Sequence, residues 1–173
     1  MLTFLKKFFG TKSEKDIKSI QPQVDKILEI YPSLKNLTND QLRAKVDALK
    51  QKIQDAIKPQ QTEINDIKAR IDSDANMDID AKEDLYKEID EIEKEITKTI
   101  EATLNEILPE AYAILKDTAR RFSENEELEV SANDFDKMLA PRYNNIKIDG
   151  TKAIWKNKWD AAGTEVAWNM VHY

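Results

Sequence analysis

The stretch Leu104–Phe122, with the sequence LNEILPEAYAILKDTARRF, decides how the fold is predicted. Its apolar residues recur at three- and four-residue steps, which predicts an amphipathic helix with one buried face. Pro109 is expected at the first position of this helix, where its missing N–H costs no hydrogen bond, and Glu110 suits the first turn. The predicted stripe consists of Leu108, Ala111, Tyr112, Leu115, Ala119 and Phe122.

The composition of the 173-residue sequence favours long helices with large solvated faces. Charged residues make up 35% and hydrophobic residues 40%, with only three glycines and five prolines. The net charge of −6 argues against a nucleic-acid-binding protein, because affinity for phosphate backbones depends on clustered Lys and Arg. The sequence contains no cysteine, which excludes disulfides and thiolate metal sites. No apolar run approaches the roughly 20 residues that span a bilayer, and Lys6 and Lys7 interrupt any signal-peptide core.

The first nine residues carry an amphipathic pattern with a basic polar face. Leucine and phenylalanine side chains share one side of a helical wheel, and lysines lie on the other. This pattern predicts a helix that lies in a membrane interface, with lysines facing anionic lipid. The alternative is a terminal helix that packs on its own domain or frays in solution. The candidate membrane-binding residues are Leu2, Phe4, Leu5, Lys6, Lys7, Phe8 and Phe9.

Two scaffold helices are predicted next. The first carries apolar residues at helical spacing from Ile17 to Tyr31 and is expected to stop at Pro32. Thr38 is the predicted N-cap of the second helix, with Gln41 completing a capping box. The apolar face of this second helix comprises Leu42, Val46, Leu49, Ile53 and Ile57.

An antiparallel helical hairpin is predicted after Lys58. Pro59 either breaks or kinks the preceding helix, and the phase of the following isoleucines favours a kinked continuation. Asp72–Asn76 has the composition of a turn, and Asp80 is the expected cap of the second hairpin helix. The narrow seam suits pairing within the hairpin or with a second copy. Its predicted members in the second helix are Leu85, Ile89, Ile92, Ile96, Ile100, Leu104 and Ile107, and the expected surface ion pairs are Glu83–Lys87 and Asp90–Lys94.

The sequence pattern of the last fifty residues differs from the helical pattern before it. A polar link over 123–127 precedes a short helix over 131–140, which is expected to be capped by Ser131 and ended by Pro141. Asp149-Gly150 between alternating apolar residues predicts a β-hairpin. Its predicted apolar face comprises Ile146, Ile148, Thr151, Ala153 and Trp155. The three tryptophans, Trp155, Trp159 and Trp168, are interpreted as packing anchors of a small β element.

The sequence shows no constellation of catalytic or metal-binding residues. It lacks a glycine-rich phosphate loop, a Ser-His-Asp set and any metal-ligand spacing. The single histidine, His172, is interpreted as structural or exposed. We therefore predict no catalytic residue and no metal ligand.

Three segments in the same order resemble the SecA family of preprotein translocase ATPases. They are LPEAYAIL with ARRF in the central helix, Leu37–Lys45 (LTNDQLRAK), and Met170–Tyr173 (MVHY). The resemblance covers about half of the chain and implies a mainly α fold, with a helix over 108–122 that packs on a nucleotide-binding domain. It implies that Met170, His172 and Tyr173 form the edge of an adenine pocket, with Tyr173 able to stack on the base. It also implies ATP as the cofactor of the whole protein.

The same resemblance implies partners and a location. The amino-terminal helix would contact acidic phospholipids and the SecYEG channel, the substrate would be a preprotein, and the protein would be cytoplasmic and peripheral on the inner membrane. The chain is expected to be the amino-terminal piece of a larger protein and, alone, neither to hydrolyse ATP nor to bind it tightly. An apolar face left uncovered predicts a homo-oligomer. The alternatives are a stand-alone helical interaction module and a peripheral membrane-binding protein.

The predicted organisation has six segments. These are a membrane- or channel-binding helix (1–12), scaffold helices (13–58), a helical-hairpin insertion (59–107), the domain-packing helix (108–122), an insertion with a short helix and a β-hairpin (123–169), and the start of the nucleotide-binding domain (170–173).

Overall fold

The computed structural model describes residues 12–168. The mainly α fold is confirmed, with three long helices followed by a small antiparallel β region. None of the helices within 12–168 is both long and apolar enough to cross a membrane. The elements are α1 (Lys12–Leu34), α2 (Asn39–Ser73), α3 (Ile79–Glu124), β1 (Glu127–Ser131), α4 (Asp134–Leu139), β2 (Ile146–Asp149), β3 (Lys152–Lys156), β4 (Lys158–Ala161) and β5 (Thr164–Ala167).

The chain divides into two units. Among the described residues, the first unit comprises 12–45 and 109–168, and the second unit comprises Val46–Leu108. The division falls within α2 and α3, so each of these two helices contributes residues to both units, whereas α1 belongs to the first unit alone.

The second unit, Val46–Leu108, contains the predicted helical hairpin (59–107) and begins earlier along α2. Its core consists of isoleucines of α2 and apolar residues of α3 that follow the predicted seam. α2 continues through Pro59 to Ser73, so the predicted continuation is confirmed and a break is excluded. The buried core residues are Ile64, Ile67, Ile71, Leu85 and Ile89, with Met77, Ile92 and Ile96 packed against them.

Four details of this hairpin differ from the prediction. Asp78, not Asp80, precedes α3 and accepts a hydrogen bond from the Ala81 N–H. Lys94 pairs with Glu91 at 2.6 Å and not with Asp90, although the predicted Glu83–Lys87 pair forms at 3.0 Å. A lysine side chain can reach a carboxylate at i−3 or i−4, so spacing alone does not choose between them. The other two differences are exposed residues that were predicted on apolar faces, Val46 (36%) of the second scaffold helix and Leu104 (45%) of the hairpin seam.

Pro32 and Pro109 do not end or begin helices as predicted, whereas α4 ends just before Pro141 as expected. α1 continues through Pro32 to Leu34, and α3 passes through Pro109 without interruption. A proline inside a helix removes one hydrogen bond and costs about 3 kcal/mol. Pro109 is buried, so the packing around it offsets this penalty. Leu108–Phe122 is consequently the final part of a 46-residue helix and not a separate element.

The β region forms two antiparallel sheets, ordered β1-β3-β2 and β4-β5. The predicted hairpin is confirmed, because Ile146 lies opposite Trp155 and Ile148 lies opposite Ala153. Gly150 has a φ of +58°, a conformation that glycine adopts readily. Asp149 pairs with Lys152, so the turn residues are Gly150 and Thr151, and Thr151 does not lie on the predicted face.

Strand β1 and the hairpin β4-β5 were not predicted. Ser131 ends β1 and therefore cannot cap α4. Asn133 is the cap instead, since its side chain accepts from the Asp136 N–H and Asp136 accepts from the Asn133 N–H. The predicted polar link over 123–127 and the predicted helix start at Ser131 were therefore wrong, because residues 127–131 form a strand that pairs with β3.

Candidate functional site

The predicted site residues lie outside the part of the chain that the structure describes. This holds for the adenine-pocket residues Met170, His172 and Tyr173, and for the membrane-binding residues of the amino terminus. The latter are Leu2, Phe4, Leu5, Lys6, Lys7, Phe8 and Phe9. The structure does show how Trp168, two positions before Met170, is held.

Trp168 is fixed by ring contacts and by its backbone. Its indole stacks on Phe122 of α3, with ring centroids 6.1 Å apart and an interplanar angle of 29°. Trp168 has a second aromatic contact with Trp159, whose ring centroid lies 6.2 Å from its own. The Trp168 N–H donates to the Asn157 carbonyl at 2.7 Å. These contacts attach the strand that leads to Met170 to the end of α3.

The end of α3 is itself fixed by a buried ion-pair cluster. Asp117 is completely buried. Its carboxylate accepts from Arg121 Nε at 2.8 Å, and from Arg120 Nε and Nη2 at 3.0 and 2.8 Å. Burial alone would lower the pKa of Arg120, but its hydrogen bond with Asp117 and the charges of Asp117 and Glu124 raise that pKa. Arg120 therefore stays charged beside the buried carboxylate that it shares with Arg121.

Arg121 also joins α1 and α2 to this cluster. Its guanidinium donates to the Leu37 carbonyl at 2.6 Å and to the Leu34 carbonyl at 3.2 Å. It further donates to Asn39 Oδ1 at 2.6 Å. Helix carbonyls near a C-terminus lack partners within the helix, and a cation suits that pole. Arg121 thus fixes the α1–α2 connection to α3. The predicted capping box at the start of α2 is confirmed, since Thr38 and Gln41 bond each other at 2.8 and 3.1 Å.

A second cluster attaches the β region to α2. Asp136 is completely buried and accepts from Arg43 at 2.7 and 2.9 Å and from the Trp155 indole N–H at 3.0 Å. Burial favours a raised pKa for Asp136, but the hydrogen bonds from Arg43, the Asn133 N–H and Trp155 outweigh it and lower the pKa. The neighbouring Asp40 carboxylate accepts from the Ser131 N–H and hydroxyl, both at 2.8 Å.

The predicted stripe of the central stretch is only partly covered within this unit. Ala119 is buried and Phe122 contacts Trp168, as an apolar face requires. Tyr112 and Leu115 are each 53% exposed. Ala113 and Ile114, which the prediction left out, are buried instead. The buried side of the helix is therefore rotated relative to the predicted stripe, because Asp117 and Arg121 are buried together with the apolar residues.

The two clusters position backbone, and the buried carboxylate in each is paired with arginine. Their residues were missed because the partners are far apart in sequence. Arg43 and Asp136, for example, are separated by 93 positions. The three tryptophans also divide between two roles, since Trp155 bonds Asp136 whereas Trp159 and Trp168 contact each other.

Comparisons with known proteins place this geometry in a family context. The model of the SecA DEAD-like domain matches residues 5–134. Relatives named protein translocase subunit SecA match with 46% identity in Parabacteroides distasonis and 45% in Bacteroides fragilis, both over 98% of this chain. A relative of the same name from Flavobacterium psychrophilum is 46% identical over 169 residues. The similarity thus covers nearly the whole chain, whereas the sequence motifs covered only about half of it. The chain spans about 15% of the length of these relatives, and no solved structure matches it.

Proposed function

The chain belongs to the SecA family, and we propose that it forms the amino-terminal part of an ATP-driven protein translocase. The whole protein would export preproteins across the bacterial inner membrane through the SecYEG channel, acting from the cytoplasmic side. ATP binding and hydrolysis belong to the whole protein, because this chain spans about 15% of its relatives. The family match is the observation that carries this function.

We assign the first unit the role of positioning the adenine-contacting segment. Met170, His172 and Tyr173 would form the edge of the adenine pocket, with Tyr173 stacked on the base. Support comes from Trp168, whose contacts with Phe122 and Asn157 hold the chain two residues earlier. A pre-positioned binding segment loses less conformational freedom when the ligand binds, which favours affinity.

We assign the amino terminus the role of membrane and channel attachment. Leu2, Phe4, Leu5, Phe8 and Phe9 would enter the interface, while Lys6 and Lys7 face acidic phospholipid. Support comes from the sequence, in which residues 1–18 contain five lysines against Glu14 and Asp16. Such a basic amphipathic segment combines apolar burial with electrostatic attraction to anionic lipid.

We further propose that the uncovered apolar surfaces take part in assembly. Tyr112 and Leu115 are half exposed on α3, and the resemblance assigns this stripe to the nucleotide-binding domain. Where that domain is lacking, the same surface would favour a homo-oligomer. The isoleucine seam of the second unit would give the hairpin coiled-coil character within each copy.

The decisive experiment concerns the reading frame that encodes this chain. We expect it to continue beyond Tyr173 into Asp-Val-Gln and a Gly-x-Gly-Lys-Thr loop. The full-length product should hydrolyse ATP faster when SecYEG vesicles and a preprotein are added. A frame that ends at Tyr173 would leave only a helical interaction module, and a full-length product without ATPase activity would contradict the proposal directly.

The positioning role has its own test in the same full-length protein. Trp168→Ala should raise the KM for ATP about two- to tenfold, the range expected from losing an aromatic pair, with a smaller change in kcat. Tyr143→Ala removes an exposed aromatic ring from the same unit and serves as the matched control. Equal KM values for the two variants would remove Trp168 from the positioning role.

A further inference from the structure

Three polar residues lie in the otherwise apolar seam of the second unit. Gln60 of α2 and Thr99 and Thr103 of α3 form this polar layer. Gln60 Nε2 donates to the Thr99 hydroxyl oxygen at 3.4 Å, and the Thr103 hydroxyl donates to the Thr99 carbonyl at 2.8 Å. Thr103 is 7% exposed, and the other two residues are partly buried. A chain of hydrogen bonds thus joins the two helices inside the hairpin.

The polar layer occupies a part of the seam that the apolar pattern assigned to other residues. The sequence predicted Ile100 and Leu104 in the seam of α3, between Ile96 and Ile107. The structure buries Thr103 there and leaves its neighbour Leu104 45% exposed. Burying leucine removes more apolar area from water than burying threonine does, so apolar burial alone favours the predicted arrangement. Another interaction therefore holds α3 in the observed orientation.

The side chain of Gln60 supplies an interaction of the required kind. Among the described residues, its Nε2 bonds Thr99, whereas its buried Oε1 has no hydrogen-bond partner. A rotation of α3 that brought Ile100 and Leu104 into the seam would move Thr99 away and leave both polar atoms of the amide unpaired. Burying an unpaired amide is costly, because the group loses its hydrogen bonds with water and gains none in return. The amide thus opposes the rotation that the apolar residues favour.

The ion pair on the surface of this part of the hairpin is less selective. Lys52 of α2 pairs with Glu106 of α3 at 2.7 Å, but both side chains are largely exposed. Exposed ion pairs contribute little, and their long side chains can follow a rotation of either helix. A single polar residue in the core of a coiled coil, by contrast, is known to select one arrangement of the helices at a cost in stability.

We propose that Gln60 sets the rotation of α3 against α2 in the hairpin. Its hydrogen bond with Thr99 keeps the two threonines in the seam and holds Leu104 on the outer face. The hairpin is less stable than an entirely apolar seam would be, but it has one defined arrangement with an exposed leucine. This inference uses the second unit alone and does not depend on the translocase assignment.

The test uses the 173-residue chain with labelled leucine methyl groups and a soluble paramagnetic agent, which broadens the NMR signals of exposed groups. In the unsubstituted chain the Leu104 methyl signals should broaden strongly, whereas those of Leu85, which is 9% exposed in the same seam, should be protected. Gln60→Leu should reduce the broadening at Leu104 to the level of Leu85, because the apolar side chains then determine the rotation. Thr99→Val replaces the hydroxyl by a methyl group and should act in the same direction.

Gln61→Leu is the matched control, since Gln61 is the exposed neighbour of Gln60, and it should leave Leu104 accessible. Unchanged broadening at Leu104 in both Gln60→Leu and Thr99→Val would overturn the proposal. New broadening at Leu85 in Gln60→Leu would do the same, because it would mean that the amide stabilises the hairpin without orienting α3. Protection of Leu104 that increases with protein concentration would show that a second copy covers it, and would also overturn the proposal.

Discussion

Arg121 Nε donates a 2.8 Å hydrogen bond to the carboxylate of Asp117, one turn earlier on the same helix and completely buried. Arg121 Nη2 reaches the carbonyls of Leu34, the last residue of α1, and of Leu37 in the connection that follows, and Nη1 donates to Asn39 Oδ1. The pair therefore holds α3 against the α1–α2 connection through charged groups where an apolar contact would be usual. A buried charge stabilises a fold only while its partner is present.

Replacement of Asp117 by alanine should strongly destabilise the first unit. The change leaves Arg120 and Arg121 without their shared carboxylate, and losing one partner of a buried ion pair costs about 3–5 kcal/mol. Urea unfolding monitored by tryptophan fluorescence measures this, because Trp155, Trp159 and Trp168 all lie in the first unit. Glu29→Ala, an exposed change on α1, is the control and should alter the free energy of unfolding by less than about 0.5 kcal/mol. Similar values for the two variants would show that the cluster contributes no net stability.

The stability of the first unit should fall with acid in a manner that depends on Asp136. Its pKa in the folded protein is lowered below the ordinary value of 3.8, so the folded state favours the ionised carboxylate. That contribution is complete above the unfolded pKa and is lost as the pH falls through the folded pKa. We expect Asp136→Asn to be less stable than the unsubstituted chain at pH 7, with the difference shrinking between about pH 5 and pH 3.

The control for this experiment is Asp149→Asn, which changes an exposed carboxylate of the same β region. Its difference from the unsubstituted chain should stay nearly constant over the same pH range. A constant difference for Asp136→Asn as well would show that its ionisation is not linked to folding.

The parts of the fold that were predicted correctly depend on local patterns. The seam of Leu85, Ile89 and Ile92 follows the helical period within two turns, so neighbouring residues carry the whole signal. The β2-β3 hairpin was found because Asp149-Gly150 is a local turn signal, although the turn itself shifted to Gly150-Thr151. Short-range patterns identify elements well and locate their ends less well.

The parts that were missed depend on distant partners. β1 pairs with β3, and Leu128 lies opposite Trp155, so neither strand reveals the pairing by itself. Pro109 was predicted to begin a helix because proline is favoured at the first helical position. In the structure α3 continues through Pro109, because tertiary packing outweighs the local preference. Asn157 showed no sequence signal, since its three hydrogen-bond partners come from three different parts of the first unit. The adenine-pocket and membrane-binding residues remain predictions of the sequence.

Membrane attachment should depend on the first nine residues. Replacing Lys6 and Lys7 by glutamate should reduce co-flotation with vesicles that contain about one-third anionic lipid, since each cation near such a surface contributes roughly 1 kcal/mol. Replacing Lys26 and Lys68 by glutamate makes the same change of charge at exposed positions outside the basic segment and should have a smaller effect. Equal losses would indicate a general charge effect, and no loss in either variant would refute the lipid contact.

The stability of the second unit should depend on Ile67 and not on Ile79, although both are isoleucines of long helices. Ile67 is 3% exposed within the core cluster, whereas Ile79 is 80% exposed at the start of α3. Ile67→Ala removes buried methyl groups and leaves a cavity, which should cost about 2–5 kcal/mol. Ile79→Ala loses little contact area and should change stability by less than about 0.5 kcal/mol. Hydrogen exchange of the amides in 46–73 and 79–108 measures this directly, because the tryptophans report only on the first unit. Faster exchange in Ile67→Ala alone would confirm that the seam holds the hairpin together, and equal protection in both variants would mean that the hairpin gains its stability elsewhere.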